Sequence, residues 1–260
     1  MYARRRSFTL VALALVGCDR PAESPVDSTQ ELLCPELGGN VDPMAISYSD
    51  KPSADAQIRA FVAAARGLND ASVQAEKLAV EACRRMSRDL GAPESPPNAP
   101  IDVQCRPLRA LLEKLAREGV QVRVAIAPPR CEPDAARRSR CEALAGGEAG
   151  APQTLCLAQA AVYARCSLPA VSFAGSTNAE EVVKLGRTLE ENLPTLLYGE
   201  MALARRIAKD AEEMVGTSAR LSAEIKDAGP RGLACVGLAT TATIRSAERL
   251  RSFIAATGAL

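Results

Sequence analysis

The chain has 260 residues, with 32 Lys and Arg against 31 Asp and Glu, and it contains no histidine and no tryptophan. The lack of histidine removes the commonest general base and the commonest metal ligand. A near-neutral charge and an aromatic content of 3% argue against a nucleic-acid surface. We therefore expect no metal, no cofactor and no nucleic-acid partner.

The first residues have the three zones of a secretion signal. Arg4, Arg5 and Arg6 form a positive region, and Phe8 to Val16 is an apolar run too short to span a bilayer permanently. Leu15-Val16-Gly17-Cys18 then matches the lipobox of bacterial lipoproteins. We predict that residues 1–17 are a cleaved signal peptide and that Cys18 is lipidated by a diacylglyceryl group, as in palmitate-bearing lipoproteins. The alternative is an ordinary signal that happens to end in Gly-Cys.

We interpret residues 18–33 as a lipidated tether, because the segment from Arg20 to Gln30 is polar and contains prolines. Acyl chains on Cys18 make the lipid bilayer the first expected partner. The expected location is the bacterial cell envelope, at the inner or outer membrane, with the soluble domain in the periplasm or at the surface.

Residues 34–175 are expected to form a helical domain with a small β element and a cysteine-stapled insert. Ser53 is a candidate cap for a first helix that Gly67 ends. A second helix should run from Asp70 to Leu90, and a third should begin close to Cys105–Pro107 and bury a leucine stripe.

Two segments have strand character. Val120, Val122, Val124 and Ile126 alternate with polar or small residues until Pro128-Pro129, and Ala170-Val171-Ser172-Phe173 is a shorter candidate. Because a lone strand cannot satisfy its backbone, we expect the two to pair.

Eight cysteines besides Cys18 form an even set in an exported chain, which favours four disulfides. A zinc site would need four thiolates, and the chain has no Cys-x-x-Cys pair. Nested pairing of Cys141 with Cys156 and of Cys131 with Cys166 would staple a helical hairpin. Local pairing, Cys131 with Cys141 and Cys156 with Cys166, stays open. The remaining expected pairs are Cys83–Cys105 and Cys34–Cys235.

Residues 176–260 are expected to be C-terminal helices packed on the preceding domain. Thr177-Asn178-Ala179-Glu180 matches a capping box, Pro194 should break or kink the helix, and the last helix should cover about Leu233 to Ala256. The predicted fold class is mainly α: a helical bundle with a two-stranded β element and a disulfide-stapled helical hairpin.

Residues with catalytic potential are sparse. Ser222 and Lys226 share a helix face, with Ser218 one turn earlier, but a Ser–Lys dyad is a weaker interpretation than solvated surface. The same holds for the carboxylate pairs Glu180-Glu181, Glu190-Glu191 and Glu212-Glu213. The small basic face of Lys184, Arg205, Arg206 and Lys209 is interpreted as solubilising.

Several segments resemble exported lipoproteins of myxobacteria. The matching segments are Cys34-Pro35-Glu36-Leu37, Ile58-Arg59-Ala60-Phe61-Val62, Ala82-Cys83, Pro128-Pro129-Arg130-Cys131, Leu193-Pro194 and Ala234-Cys235. Relatives of this kind carry a dense cysteine repeat after the Pro-Pro-x-Cys element, where this chain has the sparser Cys131–Cys166 segment. The resemblance implies a secreted, disulfide-bonded helical protein and no particular activity.

These observations favour a membrane-anchored envelope lipoprotein with a structural, binding or assembly role, not an enzyme, and with an envelope protein as a possible partner. The alternative is a cell-envelope hydrolase that uses carboxylates or a Ser–Lys pair.

Overall fold

The computed structural model describes residues 33–38, 41–120, 122–144, 151–175, 180–225 and 228–257. The predicted signal peptide and Cys18 lie outside the described residues. The α-helices are α1 Pro52–Asp89, α2 Ile101–Arg117, α3 Ala135–Leu144, α4 Ala151–Val162, α5 Glu180–Leu197, α6 Arg205–Glu224 and α7 Pro230–Thr257. A π-helix, Tyr198–Ala204, joins α5 to α6, and short 3-10 turns occupy Pro35–Leu37 and Pro43–Ala45. The strands are β1 Val122–Ala127, β2 Cys131–Glu132, β3 Arg165–Cys166 and β4 Ala170–Gly175. The predicted fold class, mainly α with a small β element, is confirmed.

The 38-residue helix α1 is the centre of the bundle. Helices α2, α4, α5 and α7 and the π-helix all pack on it. Much of its buried surface is alanine, including Ala60, Ala64, Ala65, Ala75 and Ala79, which are fully buried. One buried cluster joins residues from Cys34 to Phe253, so the segments 34–175 and 176–260 share a core. Among the described residues, no helix combines the length and hydrophobicity that crossing a membrane requires.

Gly67 does not end a helix, and the prediction of two separate helices over this stretch is wrong. The helix begins at Pro52, with Lys51 rather than Ser53 at the N-cap, and continues through Gly67 to Asp89. A Cβ at position 67 would lie 2.6 Å from Cγ2 of Val162 and 2.8 Å from Cε2 of Tyr163. An added Cβ would therefore force Val162 or Tyr163 to shift, because the end of α4 approaches α1 closely. Sequence periodicity does not reveal this approach.

We expect Gly67→Ala to destabilise the protein by about 1–2 kcal/mol, because the overpacking cost exceeds the gain in helix propensity. Gly237→Ala is the matched control: this exposed position in α7 has no atom within 4 Å of an added Cβ. It should stabilise the protein by about 0.5–1 kcal/mol. Urea unfolding followed by circular dichroism measures both, and a stabilising Gly67→Ala would contradict the close approach of α1 and α4.

Pro107 lies inside α2 rather than at its beginning, because the helix begins at Ile101. A proline has no N–H, so the carbonyl four residues earlier, that of Val103, has no intrahelical donor. The Ser95 hydroxyl donates to this carbonyl at 3.0 Å. A side chain of the preceding loop thus replaces the missing hydrogen bond, and α2 extends further towards its N-terminus than predicted.

We expected Pro194 to break or kink the helix, but α5 continues without a break to Leu197. The backbone changes four residues after the proline, where the π-helix Tyr198–Ala204 begins. Within it, Gly199 packs against α1, and a Cβ there would lie 3.3 Å from the carbonyl oxygen of Ala75. The predicted capping-box residues 177–179 lie outside the described residues.

The two predicted strands pair antiparallel, as expected, in the register Val122↔Gly175 to Ala127↔Ala170. Side chains alternate along a strand, so Val122, Val124 and Ile126 share a face with Val171 and Phe173. Phe173 packs on α5, where a Cβ at Gly186 would lie 2.5 Å from its ring. A second ribbon, β2 with β3, was not predicted; it pairs Cys131 with Cys166.

The described residues contain four disulfides, and they are the pairs that the sequence analysis favoured. Cys131–Cys166 and Cys141–Cys156 are nested. The first closes the base of the helical hairpin, just outside α3 and α4, and the second joins α3 directly to α4. Cys83–Cys105 joins α1 to α2. Cys34–Cys235 joins the first described turn to α7, across 201 residues of sequence.

Candidate functional site

The catalytic candidates from the sequence do not converge on a site in the described part of the chain. Ser218 is buried, and its hydroxyl donates to the carbonyl of Val215 at 2.8 Å. Lys226 and the Ser222 side chain lie outside the described residues. Glu180, Glu181, Glu190 and Glu191 are all exposed on α5, and Glu212 pairs with Arg251 at 3.0 Å. These carboxylates therefore lie on the exposed faces of the helices.

An apolar groove of about 530 Å³ is the concave feature with the most apolar lining among the described residues. One wall is α2, and the other is formed by α5 and β1. Its lining consists of Met86, Leu108, Leu112, Leu115, Ala116, Val120, Val122, Val124, Ile126, Leu185, Leu189, Leu193, Leu196, Leu197, Glu200, Met201, Arg205 and Thr257. The volume lies within the range of small-molecule pockets.

The groove follows from helix periodicity. Leu185, Leu189, Leu193 and Leu197 recur every four residues of α5, so they form one stripe along the helix. The apolar stripe of α2 consists of Leu108, Leu112 and Leu115, and its residues differ in burial. Leu108 is fully buried, whereas Leu112 and Leu115 are half-buried. Part of each apolar face is thus core, and the rest borders the groove.

The floor and rim of the groove differ in exposure. Met86, Leu108 and Leu196 are buried and form its base. Ile126 of β1 is 44% exposed and lies at the rim. The opening therefore exposes parts of aliphatic side chains to solvent, and an apolar ligand that fills the groove would cover them.

The groove has one charged end, which the sequence analysis missed. Glu200 is buried, and its Oε1 accepts a hydrogen bond from Nε of Arg205 at 2.8 Å. Nη2 of Arg205 donates to the same oxygen. In a π-helix the hydrogen bonds run from i to i+5, which brings residues five apart together; in an α-helix these two side chains would diverge. Arg205, interpreted from sequence as part of a solubilising face, therefore belongs to this site.

The groove lining offers binding chemistry. Besides the Glu200–Arg205 pair, its one polar side chain among the described lining residues is Thr257, which donates to the carbonyl of Phe253 at 2.9 Å. The only carboxylate in this lining is already engaged by a guanidinium. The arrangement provides no nucleophile paired with a base.

A second cluster lies at the far end of α7, beside the Cys34–Cys235 disulfide. Glu36 is fully buried, and its Oε1 accepts a hydrogen bond from Nη2 of Arg231 at 2.9 Å. Sγ of Cys235 lies 4.0 Å from the same oxygen. Since both sulfurs are in the disulfide, this cluster does not have the ligands of a metal site. Its effect is to clamp the N-terminal segment onto α7.

Tyr48 belongs to this cluster. Burial, together with the neighbouring Glu36 carboxylate, raises the pKa of its hydroxyl above the ordinary value. A raised folded-state pKa gives stability that is present below the unfolded value, near 10, and is lost as the pH rises above it.

We expect the free energy of unfolding to fall above about pH 10 and Tyr48→Phe to reduce that fall. Part of the alkaline loss should persist in the variant, because burial also raises the pKa of Tyr163. Unfolding titrations between pH 8 and pH 11 measure the slope. An identical slope in the variant and the parent would contradict this role of Tyr48.

Comparisons with known proteins add no further constraint on this site. A scan against profiles of protein families, a search of curated proteins and a search of solved structures found no match to the chain.

Proposed function

We propose that this chain is an exported lipoprotein of the bacterial envelope, anchored through Cys18, whose domain binds a lipid-like apolar ligand without catalysis. The observation that carries the proposal is the groove, with its aliphatic lining, its open rim and its single charged end. Filling it removes the exposed parts of Ile126, Leu112 and Leu115 from water, and burial of apolar surface favours binding by roughly 25 cal/mol per Å².

The anchor supports this function through its reach. Cys34 follows Cys18 by 16 positions in the sequence. A tether of this length spans at most about 55 Å between the two cysteines. Cys235 and Thr257 lie 22 residues apart in α7, which places the groove about 33 Å from the attachment point. A tether of this length allows the groove to approach the membrane that holds the anchor, where lipid-like ligands are concentrated.

The anchor is tested by metabolic labelling with an alkyne analogue of palmitate. We expect the wild-type chain to incorporate the label and Cys18→Ala to lose it, with Ser24→Ala, in the same predicted tether, as a control that keeps it. Equal labelling of wild type and Cys18→Ala would refute lipidation at Cys18.

Binding is tested with a single tryptophan, since the natural chain has none. Ile126→Trp places the reporter at the groove rim, and Leu233→Trp places the control at an exposed position of α7, 46% exposed. Each full-length variant is reconstituted in phosphatidylcholine vesicles and titrated with dibromostearate, whose bromines quench a nearby indole.

We expect saturable quenching and a blue shift of the emission for Ile126→Trp, with little change for Leu233→Trp. Equal, non-saturating quenching of both reporters would mean that the probe acts from the bilayer, and the proposed function would then be wrong.

A further inference from the structure

The dimensions of the groove restrict the shape of its ligand. The lining stripe runs from Leu185 to Leu197, a separation of 12 residues along α5, which corresponds to a length of about 18 Å. A slot of this length accommodates an extended aliphatic chain that lies along α5.

The composition of the groove walls also favours an aliphatic chain as the ligand. The described lining residues are leucine, valine, isoleucine, methionine and alanine, apart from the polar end, and none has an aromatic ring. Flexible aliphatic side chains pack closely around a polymethylene chain, while stacking surfaces for a planar ligand are missing from this part of the structure.

The charged end determines the head group. The Glu200 side chain is 9% exposed, whereas that of Arg205 is 59% exposed, so the cation is the partner that faces water. Glu200 engages Nε and Nη2 of Arg205. A guanidinium has five N–H donors in a planar fork, so the donors on Nη1 are not used by this ion pair. Planar forks of this kind recognise carboxylate and phosphate oxygens.

We infer that the ligand is an amphiphile with a linear acyl chain and an anionic head, carboxylate or phosphate, held at Arg205. This inference rests on the proposed function and specifies its ligand class. An extended chain advances about 1.2 Å per backbone bond, judged from the 3.3–3.6 Å that three bonds of extended polypeptide span. The 18 Å slot therefore fits a chain of roughly 14 to 16 carbons.

Chain length is tested by displacement of dibromostearate from the Ile126→Trp protein in vesicles, with saturated fatty acids of 8 to 20 carbons. Affinities are referred to the free aqueous concentration. We expect roughly fourfold tighter binding for each added methylene, up to 14–16 carbons, and then a plateau. A continuous increase through 20 carbons, or equal displacement by a sterol, would overturn the assignment of a linear chain of this length.

The head group is tested with Arg205→Gln in the same background. Binding of hexadecanoate and of hexadecyl phosphate should weaken about tenfold, and binding of hexadecanol should change less than twofold. Arg251→Gln, which removes an exposed arginine paired with Glu212 on α6 and α7, is the matched control and should change none of the three. The ratio of the two anions then distinguishes a free fatty acid from a phosphate-bearing lipid. Equal weakening for the acid and the alcohol would refute an anionic head at Arg205.

The occupant is tested by comparing the acylated protein with Cys18→Ala, both carrying Ile126→Trp. Similar quenching in the two supports a separate amphiphile. Quenching confined to Cys18→Ala would mean that the chain's own acyl group fills the groove, which overturns the inference and leaves apolar binding intact. A complete lack of quenching with every probe would instead refute the proposed function.

Discussion

Removal of the Cys34–Cys235 disulfide should lower the free energy of unfolding by about 5 kcal/mol, on the chain-entropy account of cross-links. The two cysteines are 201 residues apart, so the bond restricts most of the unfolded domain. The other three disulfides shorten this loop somewhat, but the entropy depends only logarithmically on its length. The same account gives about 3 kcal/mol for Cys141–Cys156, whose cysteines are 15 residues apart.

The experiment compares two double variants, Cys34→Ala/Cys235→Ala and Cys141→Ala/Cys156→Ala, because both remove two buried sulfurs and differ in loop length. Guanidinium unfolding under non-reducing conditions gives the two free energies. We expect the long-loop variant to be less stable by about 2 kcal/mol. An equal loss in both variants would mean that local packing, rather than loop length, determines the contribution of each bond.

Arg231→Ala should destabilise the domain by about 3 kcal/mol, because it leaves the Glu36 carboxylate buried without its cation. The Glu36 side chain is 1% exposed, and Nη2 of Arg231 lies 2.9 Å from its Oε1. A Cβ at the next residue, Gly232, would lie 2.6 Å from the carbonyl oxygen of Tyr48. The first turn of α7 therefore packs closely against the segment that carries Tyr48.

Arg251→Ala is the control for this change. Arg251 is also on α7, and it lies 3.0 Å from Glu212, but both side chains are more than half exposed. Removing an exposed partner of this kind costs at most about 1 kcal/mol. Urea unfolding at pH 7 measures both variants. Comparable losses for Arg231→Ala and Arg251→Ala would show that burial of Glu36 does not control the energetics of this ion pair.

These two predictions concern the opposite end of α7 from the groove. The disulfide and the Glu36–Arg231 pair attach the N-terminal segment to the first turns of α7. Thr257, in the last turn, lines the groove. Variants at the attachment point should therefore change stability without changing the ligand selectivity inferred for the groove.

Some elements were accessible from sequence because their determinants are local. The two-residue alternation of Val120 to Ile126 identifies a strand, since side chains on a strand alternate between two faces. A second short apolar segment, Ala170–Phe173, supplied its partner. The nested cysteine pairing was one of two alternatives, and the structure shows it, with Cys131 opposite Cys166 on paired strands.

Other features depend on what packs against a residue. Gly67 and a helix-ending glycine look identical in sequence, and only the approach of Val162 and Tyr163 shows why position 67 lacks a side chain. The contact made by the π-helix is also invisible in the sequence. Glu200 and Arg205 are five residues apart, and in an α-helix two residues at that spacing lie on different sides of the helix.

The sequence by itself determined the helical class and the paired strands, because periodicity reports local geometry. It favoured the observed cysteine pairs over a local alternative, and its lipobox motif predicts a lipidation site outside the described residues. The tertiary structure alone decided that the leucine stripes of α2 and α5 border a groove. An amphipathic face shows that a helix side avoids water, but not whether a neighbour fully covers it. Leu108 is buried and Leu112 is half-buried on the same stripe, and that difference arises from the distance between helices.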